Sequence, residues 1–78
     1  MEGTLPSRRE VKAQVGDVVR LTISAPASDT VELPDLSLEQ PVDPGVPAEM
    51  LFVADQSGSF RVRLRESGET VGTLRVVG

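Results

Sequence analysis

From Arg9 onward, apolar and polar positions alternate along most of the chain. Val11, Ala13 and Val15 fall on one side and Glu10, Lys12 and Gln14 on the other, the period-two pattern of a half-buried strand. Gly16-Asp17 predicts a turn, after which Val19, Leu21 and Ile23 alternate with Val18, Arg20 and Thr22 in a second strand. A loop over Ala25-Pro26-Ala27-Ser28-Asp29 leads to a short third strand, Thr30 to Leu33, which either ends at Pro34 or lies on an edge, because proline has no N–H for a ladder. Leu36, Leu38 and Gln40 line a further short segment. The stretch from Pro41 to Pro47 then reads as loop, with Pro44-Gly45 suited to the centre of a type II turn. Ala48 to Ala54 is the most apolar run and reads as a strand buried on both faces. Asp55-Gln56-Ser57-Gly58 is a turn. Phe60, Val62 and Leu64 then alternate with Arg61, Arg63 and Arg65, and strand character resumes after Glu66-Ser67-Gly68 through Val77.

Parity sets the register expected of this last hairpin. Opposed residues in an antiparallel pair share a face, and a slip of one residue reverses every side chain. A two-residue loop at Ser67-Gly68 would turn Leu74 and Val76 outward. A three-residue loop of Glu66-Ser67-Gly68 pairs Arg65 with Glu69, Leu64 with Thr70, Val62 with Gly72 and Phe60 with Leu74. Gly68 then stands where a left-handed residue is needed, and Arg65 faces Glu69 as an ion pair.

No segment carries a sustained helical period or helix caps, so no helix is expected. About seven short strands with a turn every eight to twelve residues predict an all-β sandwich or barrel. At 78 residues the chain makes one domain, expected over 9–78. Residues 1–8 show no periodicity and read as a disordered tail, with Met1 to Thr4 a candidate cloning remnant. With only Phe52 and Phe60 as aromatics, the core is expected from Val, Leu, Ile and Ala. No stretch approaches the roughly 20 apolar residues of a membrane span, so no insertion into a membrane is expected, and no signal peptide is visible.

Chemistry is narrowed sharply by two absences. The chain has no histidine and no cysteine. That excludes disulfides, thiolate and imidazole metal sites, thiol nucleophiles, Ser-His-Asp triads and haem ligation. Lys12, the only lysine, projects from an exposed strand face. No phosphate-cradling glycine motif occurs, and the carboxylates fall in loops and at strand ends, where they are expected to be solvated. Glu32, Asp35 and Glu39 are the one candidate set for a hard cation, without the spacing of a calcium loop. No enzyme and no cofactor is expected.

The net charge of −4 argues against nucleic acid. Every Lys and Arg lies at or before Arg20, or at or after Arg61, and the segment between holds only acids: Asp29, Glu32, Asp35, Glu39, Asp43, Glu49 and Asp55. Two readings stand for it, a solvated acidic side or a docking face for a basic partner. Arg61, Arg63 and Arg65, joined by Arg75 on the neighbouring strand, likewise read as an outward face paired to nearby acids, or as an interaction surface for an acidic protein or an anionic surface.

The ordered set of pieces resembles a cupredoxin. It consists of Val15-Gly16-Asp17-Val18-Val19, Asp29-Thr30-Val31-Glu32-Leu33-Pro34-Asp35, Val42-Asp43-Pro44-Gly45, Phe52-Val53-Ala54-Asp55, Gly58-Ser59-Phe60-Arg61-Val62-Arg63-Leu64 and Gly72-Thr73-Leu74-Arg75-Val76. It covers about residues 10 to 77 and is similar to the cupredoxin-like domains of bacterial cell-envelope proteins. The resemblance implies a Greek-key β-sandwich and an extracytoplasmic location, periplasm or cell envelope. It also implies where copper ligands would lie. A histidine after the third strand falls on Glu32, the cysteine of a G-x-F-x-x-x-C strand on Leu64, and a histidine one step later on Arg65. The remaining ligands belong to the loop that is here Glu66-Ser67-Gly68. None of these can supply the imidazole and thiolate of a blue copper site, and Met1 and Met50 do not replace them, one terminal and one in a core strand.

The expectation is therefore a non-catalytic structural or protein-interaction module on a scaffold that has lost its metal site. The alternative is an accessory domain of a redox or respiratory assembly, docking to a partner that carries the metal. An immunoglobulin-like adhesin module is disfavoured, since such domains run to about 100 residues. A monomer is expected, because exposed ion pairs give weak association.

Overall fold

A computed structural model describes residues 1–5 and 9–78. Eight strands follow in order: β1 (Glu2–Leu5), β2 (Glu10–Gln14), β3 (Val18–Ile23), β4 (Asp29–Leu33), β5 (Leu38–Val42), β6 (Ala48–Val53), β7 (Gly58–Leu64) and β8 (Thr70–Val77). One turn of 3-10 helix, Pro34–Leu36, separates β4 from β5, and no α-helix occurs among the described residues. The strands form a three-stranded sheet, β1-β3-β6, and a five-stranded sheet, β2-β8-β7-β4-β5. Among the described residues only β4–β5 and β7–β8 are hairpins, and strands otherwise consecutive in the chain lie in different sheets, which makes this a Greek-key sandwich.

Alternation builds the core. Val19, Leu21 and Ile23 of β3 face Val31 and Leu33 of β4, Phe60, Val62 and Leu64 of β7, and Leu74 and Val76 of β8 across one interior. No polar or charged residue is buried among the described residues, so the interior holds no polar side chain that would need a hydrogen-bond partner. Pro34 ends β4 and sits at the first position of the 3-10 turn, where its missing N–H costs nothing.

Four expectations need correction. The stretch 1–8 is not all tail: residues 2–5 form β1 and pair in parallel with β3, Glu2 with Arg20 through Leu5 with Ile23. Pro6, Ser7 and Arg8 lie outside the described residues. The strand was hidden because its inward positions are Gly3 and Leu5, and a glycine leaves no apolar mark. Eight strands therefore stand in place of about seven.

Val15 does not join the core. The chain leaves β2 at Gln14 to turn at Gly16, and Val15 is 45 % exposed. Pro41 lies within β5 rather than in a loop, which is allowed because β5 is the edge of its sheet. Ala48 to Ala54 is buried on one face only. Ala48, Met50 and Ala54 point inward, while Leu51 and Val53 are exposed, because no second layer covers the outer side of the three-stranded sheet among the described residues. Pro44-Gly45 does form the expected turn, with Gly45 at φ 77° and Val46 N–H donating to the Asp43 carbonyl at 2.9 Å.

The added strand is fitted closely. Leu5 is fully buried, and a Cβ on Gly72 would lie 2.6 Å from Leu5 Cδ2 and 3.0 Å from the Arg9 carbonyl oxygen. Gly72 thus makes the room that Leu5 fills. Leu5→Ala is expected to lower stability by about 2–4 kcal/mol, from lost burial plus the cavity left behind. Urea unfolding of the variant measures this, and a loss below about 0.5 kcal/mol would show that β1 is not docked.

Candidate functional site

The β7–β8 hairpin carries the residues singled out from sequence, so its register comes first. Phe60 pairs with Leu74, Arg61 with Thr73 and Val62 with Gly72, as parity required. Leu74 is buried and Val71 only half-buried. Beyond Val62 the ladder slips by one residue, and Arg63 pairs with Thr70. Leu64 N–H then donates to the Glu69 carbonyl at 2.8 Å, and Gly68 N–H to the Leu64 carbonyl at 2.9 Å. The loop is therefore four residues, Arg65 to Gly68, with a bulge in β8, rather than three. The reason is polarity. An unbroken ladder would set Thr70 opposite Leu64 on the core face, and the bulge turns it out to solvent.

The slip also removes the expected Arg65–Glu69 pair. Arg65 instead reaches across to β4 and β5. Its Nε lies 3.1 Å from Glu32 Oε2 and its Nη2 bonds Glu39. Glu32 and Glu39 are direct cross-strand partners, a like-charge pair that is unfavourable alone and that Arg65 bridges. Arg63 completes the cluster, with Nε 3.1 Å from Glu32 Oε1, an ion pair without hydrogen-bond alignment. The Glu32 side chain is only 16 % exposed, against 50 % for Arg65. Glu32 and Glu39 raise the affinity of Arg65 for its proton further.

So the structure brings Glu32 and Arg65 together and separates Leu64 from both. Leu64 is buried, opposite Val31. The arginine stripe divides in two. Arg63 and Arg65 are committed to Glu32 and Glu39, whereas Arg61 and Arg75 are exposed with no acidic partner among the described residues. Asp35 sits in the 3-10 turn, and no group of three potential metal ligands occurs among the described residues.

The residue that sequence reading passed over is Asp29. Its Oδ1 accepts the N–H of Thr30 at 2.7 Å and of Glu66 at 2.8 Å, and its Oδ2 that of Ser67 at 3.1 Å. One carboxylate at the start of β4 thereby fixes the β7–β8 loop, and Arg65 N–H adds a bond to the Thr30 carbonyl at 2.9 Å. The Glu66 N–H foremost, with those of Thr30 and Ser67, holds the Asp29 carboxyl below its ordinary range against an opposing effect of burial. An aspartate before a strand is an ordinary turn signal, and nothing local to it says that its partners lie more than thirty residues on.

A wide cleft of about 630 Å³ opens between this hairpin and Arg9, Ser24 and Pro26.

Comparison with known proteins places these features on a familiar scaffold. Neither a protein-family profile nor a curated protein sequence matches the chain. Solved structures do match. The metal-binding domain of the Cu(I)-exporting P-type ATPase CopA of Streptococcus pneumoniae, with Cu(I), superposes with a TM-score of 0.76 at 10 % identity, over 99 % of this chain and 85 % of that one. A copper-binding protein in its apo form gives 0.70 at 15 % identity, over 87 % and 72 %. A mutant of amicyanin, Cu(I), gives 0.61 at 16 % identity, over 87 % and 69 %. The fold is cupredoxin-like.

Two outcomes follow for the loop. Gly68 holds φ 76° with open space around a would-be Cβ, so Gly68→Ala is expected to cost about 1 kcal/mol through backbone strain alone. Arg65→Ala is expected to cost less, because its ion pairs are solvated; chemical denaturation ranks the two, and the reverse order would contradict this. For Asp29 the folded carboxyl titrates below its ordinary value of 3.8. Its contribution is therefore complete above that value and is lost as pH falls through the depressed one. Thermal midpoints of the native protein and Asp29→Asn should differ at neutral pH and converge in acid, while a gap that persists in acid would contradict this.

Proposed function

We propose that this chain is a non-catalytic structural or protein-interaction module, built on a cupredoxin-like scaffold whose metal site has been replaced by an ion-pair cluster. One observation carries the reading. At the end of the sandwich where the resemblance puts copper ligands, Arg65 lies against Glu32 and Glu39, and Arg63 against Glu32. Guanidinium groups there take up the negative charge that a cation would otherwise meet, and Asp29 holds the loop by backbone bonds that need no metal. No soft donor is available to restore the site, since the chain has no histidine or cysteine. We place the module outside the cytoplasm, in the bacterial cell envelope, on the strength of the family resemblance.

A second reading has one finding in its favour. The structures that share this fold bind copper, and one is a domain of a larger copper exporter. On that reading the chain is an accessory domain that docks to a metal-carrying partner and holds no metal itself.

Both readings require that copper does not occupy the β4–β7 end. Titration with Cu(II), and with Cu(I) under reducing conditions, should leave the thermal midpoint and the resonances of Glu32, Leu64 and Arg65 unchanged. Stoichiometric binding that shifts those three resonances would overturn the proposal.

A further inference from the structure

The outer face of the five-stranded sheet has two halves that treat like charges differently. On the β4–β5 half, Glu32 and Glu39 stand directly opposite each other, Arg65 bridges them and Arg63 pairs with Glu32. On the β2–β8–β7 half, Lys12 stands directly opposite Arg75. Arg75 in turn faces Ser59, and Arg61 is the next outward residue along β7. All three cations are exposed. Like charges set opposite each other on adjacent strands oppose folding, and on this half no acid bridges them.

Lys12, Arg61 and Arg75 have no carboxylate partner among the described residues. Glu10 shares their face, opposite Thr73, and forms no ion pair with them. Pro6, Ser7 and Arg8 bring no carboxylate either. The chain has 12 acids and a net charge of −4, so three cations gathered without one do not reflect a shortage of acid.

Charge and spacing select the occupant. Strands lie about 4.8 Å apart and alternate residues about 6.8 Å apart, so the backbones of Lys12 and Arg61 stand roughly 12 Å apart, with Arg75 between. That spacing suits carboxylates carried along an extended chain, not one small anion. Nucleic acid would find no stacking surface, since Phe60 is turned into the core and Phe52 lies on the other sheet. An anionic bilayer would meet a chain of net charge −4, on a face whose apolar residues, Val71 and Val77, are half-buried. A second copy offers Asp17, Asp35 and Asp55 only singly, in separate turns.

Resting on the interaction-module reading, we propose that the Lys12–Arg75–Arg61 face binds an acidic, extended segment of a partner protein, with carboxylates at alternate positions. One carboxylate between Lys12 and Arg75 does for that pair what Arg65 does for Glu32 and Glu39. Another, further along the segment, meets Arg61. Arg63 and Arg65 take no part, because acids of their own chain hold them.

The test uses the whole chain and a synthetic eight-residue peptide of alternating Glu and Ser, with a Lys–Ser peptide as control. Nitrogen-edited NMR titration should shift the amides of Lys12, Arg61, Thr73 and Arg75, and binding should weaken with salt. Arg75→Gln should weaken binding about threefold or more. Arg20→Gln, which removes the same charge from the other sheet and whose folding is checked by its free spectrum, should leave binding unchanged. Without peptide, Arg75→Gln should raise the thermal midpoint at low salt, because the Lys12–Arg75 repulsion is gone. A lowered midpoint, equal weakening by Arg20→Gln, equal binding of the Lys–Ser peptide, or shifts centred on Arg63 and Arg65 would each overturn the proposal. So would preferential binding to phosphatidylserine vesicles or to oligodeoxythymidine, a peptide-free dimer joined through this face, or no shift at millimolar peptide. Copper binding near Glu32 would defeat the preceding reading without touching this face, so the two failures are distinguishable.

Discussion

The constraint on which everything else rests is a dry interior shared by two sheets. In a chain of 78 residues one apolar core must serve every strand, and no polar or charged side chain enters it among the described residues. Strand parity then becomes absolute. Once Phe60, Val62 and Leu64 face inward, Arg61, Arg63 and Arg65 must face solvent, and β8 must bulge to keep Thr70 out of the core. That bulge sets the length of the next loop and frees Arg65 from Glu69. The ion cluster at the β4–β7 end is thus a consequence of core packing and not an independent device.

Backbone hydrogen bonds and side-chain ion pairs contribute differently at that end. The guanidinium of Arg65 relieves repulsion between the facing Glu32 and Glu39, but its half-exposed position lets water and salt screen it. Asp29 makes charge-assisted bonds to the backbone N–H groups of Thr30 beside it and of Glu66 and Ser67 in the loop, and such bonds hold direction as well as charge. Positioning of the hairpin is therefore assigned to Asp29, and charge balance to Arg63 and Arg65.

Much of this was legible in the sequence because alternation is a local signal. β3, β4, β7 and β8 could be read directly, as could the turns at Pro44-Gly45 and at Gly68, since positive φ leaves its mark as glycine. What escaped reading was non-local or unmarked. β1 hides an inward glycine, and its partner β3 lies a dozen residues further along the chain. The bulge in β8, opposite Val62 and Arg63, depends on which face Thr70 would meet, and the reach of Asp29 to Glu66 spans thirty-seven residues. The apolar run at β6 misled because Leu51 and Val53 are apolar although they face outward and are exposed.

The central claim is that protein groups alone hold the β7–β8 loop in place. Amide hydrogen exchange on protein stripped of metal by chelators tests it most directly. Glu66 and Ser67 should be protected well above unstructured rates, with no change when copper is restored, and Asp29→Ala should expose both. Unprotected Glu66 and Ser67 amides that become protected only on adding copper would contradict the account.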